Sequence, residues 1–213
     1  MKGTNWESII FDFDGVLVES GDIKTQAFAD LYQSYGNTIV SEVIHYHKLN
    51  GGLSRYKKFR YFQQNLLKKP PLTQSEEEEL DKNFSKLVVE AVIDSDPVPG
   101  ADEFVRIEAS RIPLFIASGT PEKELNTIVT RRGLDPYFTE VRGSPKLKET
   151  LIAEILSTHE LTPKHVLMIG DALIDYQSAQ ANNVAFLGRV RIGDKNPFPK
   201  HVSTIHDLHA LLS

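Results

Sequence analysis

Cysteine is absent from the 213 residues, which excludes disulfide bridges, zinc–thiolate sites and thiol nucleophiles. No apolar run approaches the roughly 20 residues that a membrane-spanning helix needs. Met1-Lys2-Gly3-Thr4 carries no secretory leader pattern. These absences lead us to expect a cytoplasmic protein with no membrane partner. An excess of positive charge is also missing: 24 Lys and Arg face 29 Asp and Glu, for a net charge of −5. Nonspecific nucleic-acid binding feeds on positive surface, so nucleic acid is not an expected partner. The seven histidines show no metal-ligand spacing, and no internal repeat or low-complexity segment interrupts the chain. Its length suits one domain with an insertion, and its oligomeric state is not legible.

What is present begins with Ile9-Ile10-Phe11-Asp12-Phe13-Asp14-Gly15-Val16-Leu17-Val18-Glu19-Ser20. A strand-forming apolar run ends in two acids and a glycine. Side chains alternate along a strand, so Asp12 and Asp14 share a side and Phe13 takes the other. Two carboxylates at the end of a buried strand lose hydration and repel each other. They require a cation, a hydrogen-bond network or a shared proton. For an isolated Asp-x-Asp-Gly a plain turn is an equally good reading. The rest of the chain decides against it.

From about residue 19 to residue 94 the periodicity is helical. Ile23, Ala27, Leu31 and Tyr35 mark a first helix ended by Gly36-Asn37. A second is expected over 41–48 with Ser41 as its cap. Gly51-Gly52-Leu53-Ser54 reads as a loop before a third over 55–67, closed by Pro70-Pro71. A fourth starts at Thr73 and runs to about Ile93, with Glu76 to Glu79 at the positive end of its dipole. Asp96-Pro97-Val98-Pro99-Gly100 then excludes helix and reads as a hinge. Beyond it, short apolar strands over 113–117, 140–142, 166–169 and 184–187 alternate with helices. That pattern implies a parallel sheet covered on both faces. The expected fold is α/β, with a Rossmann-like three-layer parallel-sheet core (1–18 plus 97–213) and an inserted helical cap (19–96).

Other strand ends repeat the opening theme. The run 115–117 ends in Ser118-Gly119-Thr120, and 166–169 ends in Gly170-Asp171, with Asp175 four residues on. In open parallel sheets, ligands bind beyond the carboxyl ends of the strands, near the point where strand order reverses. Acids, a hydroxyl and free backbone N–H groups would therefore converge. Two bare charges ~4 Å apart repel by about 4 kcal/mol at an effective dielectric of 20, so such a cluster demands positive charge. Oxygen donors without Cys or clustered His select Mg²⁺ over zinc or copper. Lys146 or Lys148 would add to the compensation.

The four stretches 11–17, 117–120, 143–148 and 169–175 resemble, in order and over nearly the whole chain, the four motifs of haloacid dehalogenase-like hydrolases. The helical block resembles that superfamily's subfamily I cap. The resemblance implies Asp12 as a nucleophile forming an aspartyl-phosphate and Asp14 as general acid and base. It implies Asp12, the Asp14 carbonyl and Asp171 as Mg²⁺ ligands. Ser118 and the N–H groups of Phe13 and Gly119 would bond the phosphoryl oxygens, and Asp175 would orient the lysine or a metal-bound water. Of the two lysines, Lys146 has the spacing of members with Lys-Pro-x-Pro but lacks the prolines. Lys148 fits a Gly-Ser-Pro-x-x-Lys pattern and is preferred.

Asp14 decides against a true dehalogenase. Gly52-Leu53-Ser54-Arg55 is similar to the cap loop of β-phosphoglucomutase-type mutases, but those carry His where this chain has Lys24. The expected function is thus hydrolysis of a small phosphorylated metabolite, with a mutase second and a non-catalytic phosphate-ester-binding module third. Ser54 and Arg55 are the candidate cap contacts to substrate, Arg55 because a guanidinium grips a second anion bidentately. The alternative for Ser54 is a plain helix cap. Lys57, Lys58 and Arg60 are expected on the cap surface, with Phe59, Phe62 and Leu66 as cap core. The histidines are expected to be ordinary. Hinges near 18–20 and 96–100 would let the cap close. A sugar phosphate, an organic-acid phosphate and a nucleotide all remain open.

Overall fold

The computed structural model describes residues 6–212; residues 1–4, read above for a leader, lie outside them. Strand β1 (Ser8–Phe11) leads into four helices: α1 (Gly21–Tyr32), α2 (Asn37–Leu49), α3 (Arg55–Tyr61) and α4 (Gln74–Ile93). Then follow α5 (Ala101–Ala109), β2 (Leu114–Pro121), α6 (Glu122–Arg131), β3 (Glu140–Ser144), α7 (Lys148–Thr158), β4 (Val166–Gly170), α8 (Leu173–Ala181), β5 (Ala185–Arg189) and β6 (Thr204–Ile205).

The six strands form one parallel sheet in the order β3-β2-β1-β4-β5-β6. Ile10 lies beside Phe115 on one flank and Met168 on the other. Alternation sorts the strand residues between two faces. Ile9, Phe11, Leu114, Ile116, Leu167 and Ile169 join the core that includes Phe104 of α5 and Leu125 of α6. Ile10, Phe115, Ala117, Val166 and Met168 pack with Leu151, Ile152 and Ile155 of α7 and Ala179 of α8. Continuous apolar strands are what a sheet buried on both faces requires. The chain steps outward from β1 through β2 to β3, then crosses back to β4 on the other side of β1. Strand order reverses there, which opens a crevice at the carboxyl ends of β1 and β4.

Helices α1 to α4 enclose an aromatic core. The Phe28 ring lies 4.4 Å from Phe84, 5.7 Å from Phe62 and 6.0 Å from Phe59. Helix α3 runs on into a π-helical turn, Phe62–Leu66. A capping box starts α4: the Glu76 N–H donates to Thr73 Oγ1, and the Thr73 N–H to Glu76 Oε2 at 2.8 Å. Helix α2 differs from the sequence expectation, beginning at Asn37 with Ser41 inside it. Gly36, at φ +88°, reverses the chain after a 3₁₀ turn and lets the next helix start at once. The chain enters and leaves this block side by side. Val18 pairs antiparallel with Pro97, the Glu19 N–H donates to Asp96 O, and the Val98 N–H donates to Leu17 O. Among the described residues, no helix is long and apolar enough to cross a membrane.

Candidate active site

A cavity of about 110 Å³ lies between the strand ends and the helical block, lined among others by Asp12, Asp14, Asp171, Lys24, His47 and Lys58. Asp12 follows β1 directly. Its N–H donates to Ile169 O at 2.9 Å, which ties it to the end of β4. Its Oδ1 accepts the Phe13 N–H at 2.8 Å and faces Lys148 Nζ at 3.0 Å. Lys148, first residue of α7, also donates to Asp175, whose other oxygen accepts the Ala172 N–H at 3.0 Å. Lys146 points elsewhere, to Glu154 at 2.6 Å.

The backbone yields room for these acids at two glycines. A Cβ on Gly15 (φ +74°) would lie 2.2 Å from Asp171 Oδ2, and one on Gly170 would lie 2.4 Å from the Asp175 Cβ. Carboxylate oxygens of Asp12, Asp171 and Asp175 lie within 4.8 Å of one another. Burial pushes the Asp12 carboxyl up to about 7, against the pull of Lys148 and with Asp175 and Asp14 adding repulsion. Burial and the neighbouring acids raise Asp171 well above the carboxylate range. One lysine therefore leaves the cluster short of positive charge. Its donors are all hard oxygens, a set that fits a divalent cation of the Mg²⁺ kind.

Asp14 is held differently. Its carboxylate accepts from Lys24 Nζ at 2.5 Å, Ser20 Oγ at 2.6 Å and Thr120 Oγ1 at 2.8 Å. Burial opposes ionisation, but Lys24 and the bonds from Lys24, Ser20 and Thr120 overcome it and draw the carboxyl down to about 2. Ser118 is buried at the end of β2, and its Oγ accepts the Thr120 N–H at 3.2 Å.

The model of the haloacid dehalogenase-like hydrolase family matches residues 9–189. The chain belongs to that family. A phosphorylated carbohydrates phosphatase from Thermotoga maritima is 25% identical over 189 residues, covering 84% of this chain and 82% of the relative. Among solved structures, β-phosphoglucomutase from Clostridium difficile superposes with a TM-score of 0.79 at 18% identity, over 97% of this chain and 93% of that one. The hydrolase YfnB from Bacillus subtilis, bound to magnesium and described as revealing interdomain movement, gives a TM-score of 0.70 at 15% identity, over 97% of each chain. At these identities the two structures speak for the fold.

On the side of the cavity formed by α1 to α4, the site of this hydrolase departs from the sequence expectation. Arg55 is not a free guanidinium. It is buried, 4.6 Å over the Phe84 ring, and engages both oxygens of Glu124 on α6 together with Ser85 at 2.8 Å and Asp81 at 3.2 Å. A buried guanidinium must be paired, and these acids pair it. Ser54 makes no side-chain cap bond, and it lines a neighbouring cavity with Lys146 and Lys148 instead of the one over Asp12. Gly119 meets the loop between α2 and α3 closely: a Cβ there would lie 2.4 Å from Gly52 O.

Lys58, expected on the surface, is only 3% exposed, and His47, expected to be ordinary, is buried beside it. Lys24, Thr120, His47 and Lys58 line the cavity; the sequence marks Lys24 only as the residue in place of a mutase histidine and gives none of the four a role in the site. One signal was there to read. Lys58 follows Arg55 by three positions, which puts both on one face of a helix.

Proposed function

We propose that this chain is a Mg²⁺-dependent phosphatase that hydrolyses a small phosphate monoester through an aspartyl-phosphate at Asp12. The observation that carries the proposal is the convergence of Asp12, Asp171, Asp175 and Lys148 beyond the ends of β1 and β4. The family supports it, as do the Thermotoga phosphatase and the magnesium held by YfnB. Residues 1–18 and 97–213 are read as catalytic core and 19–96 as cap, joined by the paired segments around Val18 and Pro97.

Asp12 and Asp171, with the backbone carbonyl of Asp14, would hold the cation, which when bound neutralises carboxylate and phosphoryl charge. Lys148 fixes Asp12 Oδ1 and shares the charge of Asp175. Asp12 attacks phosphorus, and the P–O bond to the alcohol breaks. Asp14, ionised in the free site, would relay to the leaving oxygen a proton from Lys24, to which it is bonded. Asp14 then takes a proton from water, whose oxygen attacks phosphorus and frees Asp12 and inorganic phosphate. Ser118 and the N–H groups of Phe13 and Gly119 would bond the phosphoryl oxygens as fixed donors.

Hydrolysis of an aryl phosphate with and without Mg²⁺ tests this reading. Metal-dependent turnover should fall by about a thousandfold or more in Asp12→Asn. A phosphosugar mutase stands second, favoured by Gly52-Leu53-Ser54-Arg55 and the likeness to β-phosphoglucomutase. Isomerised ester without free phosphate would select it. Ester binding without turnover would select a non-catalytic module.

A further inference from the structure

Of the basic side chains lining the cavity, Lys24 is bonded to Asp14, and Arg55 to Asp81 and Glu124. Lys58 has no carboxylate partner among the described residues. Its Nζ lies 2.9 Å from His47 Nδ1 and 5.6 Å from the Phe28 ring centroid. An ammonium this deeply buried costs free energy unless it is matched, and a neutral imidazole matches it only in part.

We infer that Lys58, seated on His47, receives a second negative group on the alcohol portion of the ester. The substrate class would then be a small monoester whose alcohol carries a carboxylate or a further phosphate. The inference rests on the phosphatase reading and deepens it. It also shifts recognition away from Arg55, whose guanidinium already binds the chain's own acids.

Electrostatics agree with this class. The charged groups acting on Lys58 are Lys24, Asp14, Asp171 and Lys148, and burial with the nearby Lys24 brings the amine down to about 7. Burial and Lys58 also draw His47 down to about 2, so the imidazole is neutral and its Nδ1 accepts from the ammonium. An incoming anion would hold Lys58 in its charged form.

The test measures kcat/KM with Mg²⁺ for matched pairs: 2-phosphoglycolate against 2-hydroxyethyl phosphate, and propane-1,3-diol bisphosphate against its monophosphate. Wild type should favour the anionic member of at least one pair by about tenfold or more, and which pair responds tells carboxylate from phosphate. In Lys58→Met that ratio should collapse toward one, with most of the loss in KM, and Lys58→Arg should keep part of it. If Lys58→Met does not fold, as judged by its melting curve, His47→Gln should lower the same ratio. Aryl phosphate turnover with no preference in either pair would overturn the inference and leave the phosphatase reading standing. An undiminished ratio in Lys58→Met would do the same. Loss of Mg²⁺-dependent turnover with every ester in wild type would overturn both.

Discussion

Two buried lysines belong to the site, Lys148 against Asp12 and Lys58 in the cavity lining, and their surroundings differ. Lys148, on the core side, sits between Asp12 and Asp175, whose charges overcome its burial and raise its pKa. Lys58, on α3, has a neutral imidazole for a partner and another lysine nearby, and burial pulls it down to about 7. A buried charge matched within the chain maintains a geometry that exists before any ligand arrives. On the proposed reading, one matched only by a neutral group marks where a ligand's charge belongs, so the strand-end acids carry the chemistry and Lys58 the choice of substrate.

Replacing Lys148 should give the largest effect. Lys148→Met leaves Asp12, Asp171 and Asp175 facing one another, so aryl phosphate turnover should fall by about a thousandfold or more. Breaking such a buried pair also costs about 3–5 kcal/mol, which thermal or denaturant unfolding would register. Lys58→Met should lower turnover of the same neutral ester far less. Equal losses in the two variants would erase the distinction between core and cap.

Next comes the cross-brace. Glu124 belongs to α6 and Arg55 to α3, one of the four helices that follow β1. Glu124→Gln removes the charge of the main partner of a buried guanidinium and should cost about 1–3 kcal/mol in denaturant unfolding. An unchanged midpoint would mean that Asp81 and Ser85 suffice.

The pH dependence of stability sharpens the comparison further. Lys58 titrates near 7 in the folded protein and at the ordinary 10.5 when unfolded. Between those values the unfolded chain binds more protons, so this residue makes stability rise with pH, by at most about 1.4 kcal/mol per pH unit. Below pH 7 its penalty is constant. Unfolding of wild type and Lys58→Met from about pH 6 to 10 should therefore show the variant's advantage shrinking above neutrality. Parallel profiles would contradict the assignment.

The smallest effect belongs to Glu90→Gln. It breaks the exposed pair with Arg131 that also links α4 to α6, and it should leave the melting temperature unchanged within error.

Much of the core was legible because its determinants are local. Apolar runs of strand length, each closed by a polar or glycine residue, announce a parallel sheet and mark its ligand-facing ends. The grouping of Asp12, Ser118 and Asp171 follows from those ends. The cap was harder to read. Its helices were legible from periodicity and caps, but which side chains turn inward depends on how the helices cross. Helical spacing ranked Phe59 and Phe62 correctly as core, yet it put Lys58 outside, because a lysine on a helix is ordinarily solvated. Arg55 stands in a motif, and no sequence rule says that Glu124, 69 residues away, would claim it. Ser41 has the residue type of a cap, whereas Gly36 sets the start of α2 through backbone conformation.

The phosphoryl acceptor itself can be observed. Rapid acid quench of the Mg²⁺-loaded enzyme turning over a ³²P-labelled ester should trap label on the chain, labile to hydroxylamine as an acyl phosphate is. Peptide mapping should find that label at Asp12, and Asp12→Asn should carry none. Turnover with no labelled chain at any quench time, or label that persists in Asp12→Asn, would contradict a nucleophile at the end of β1.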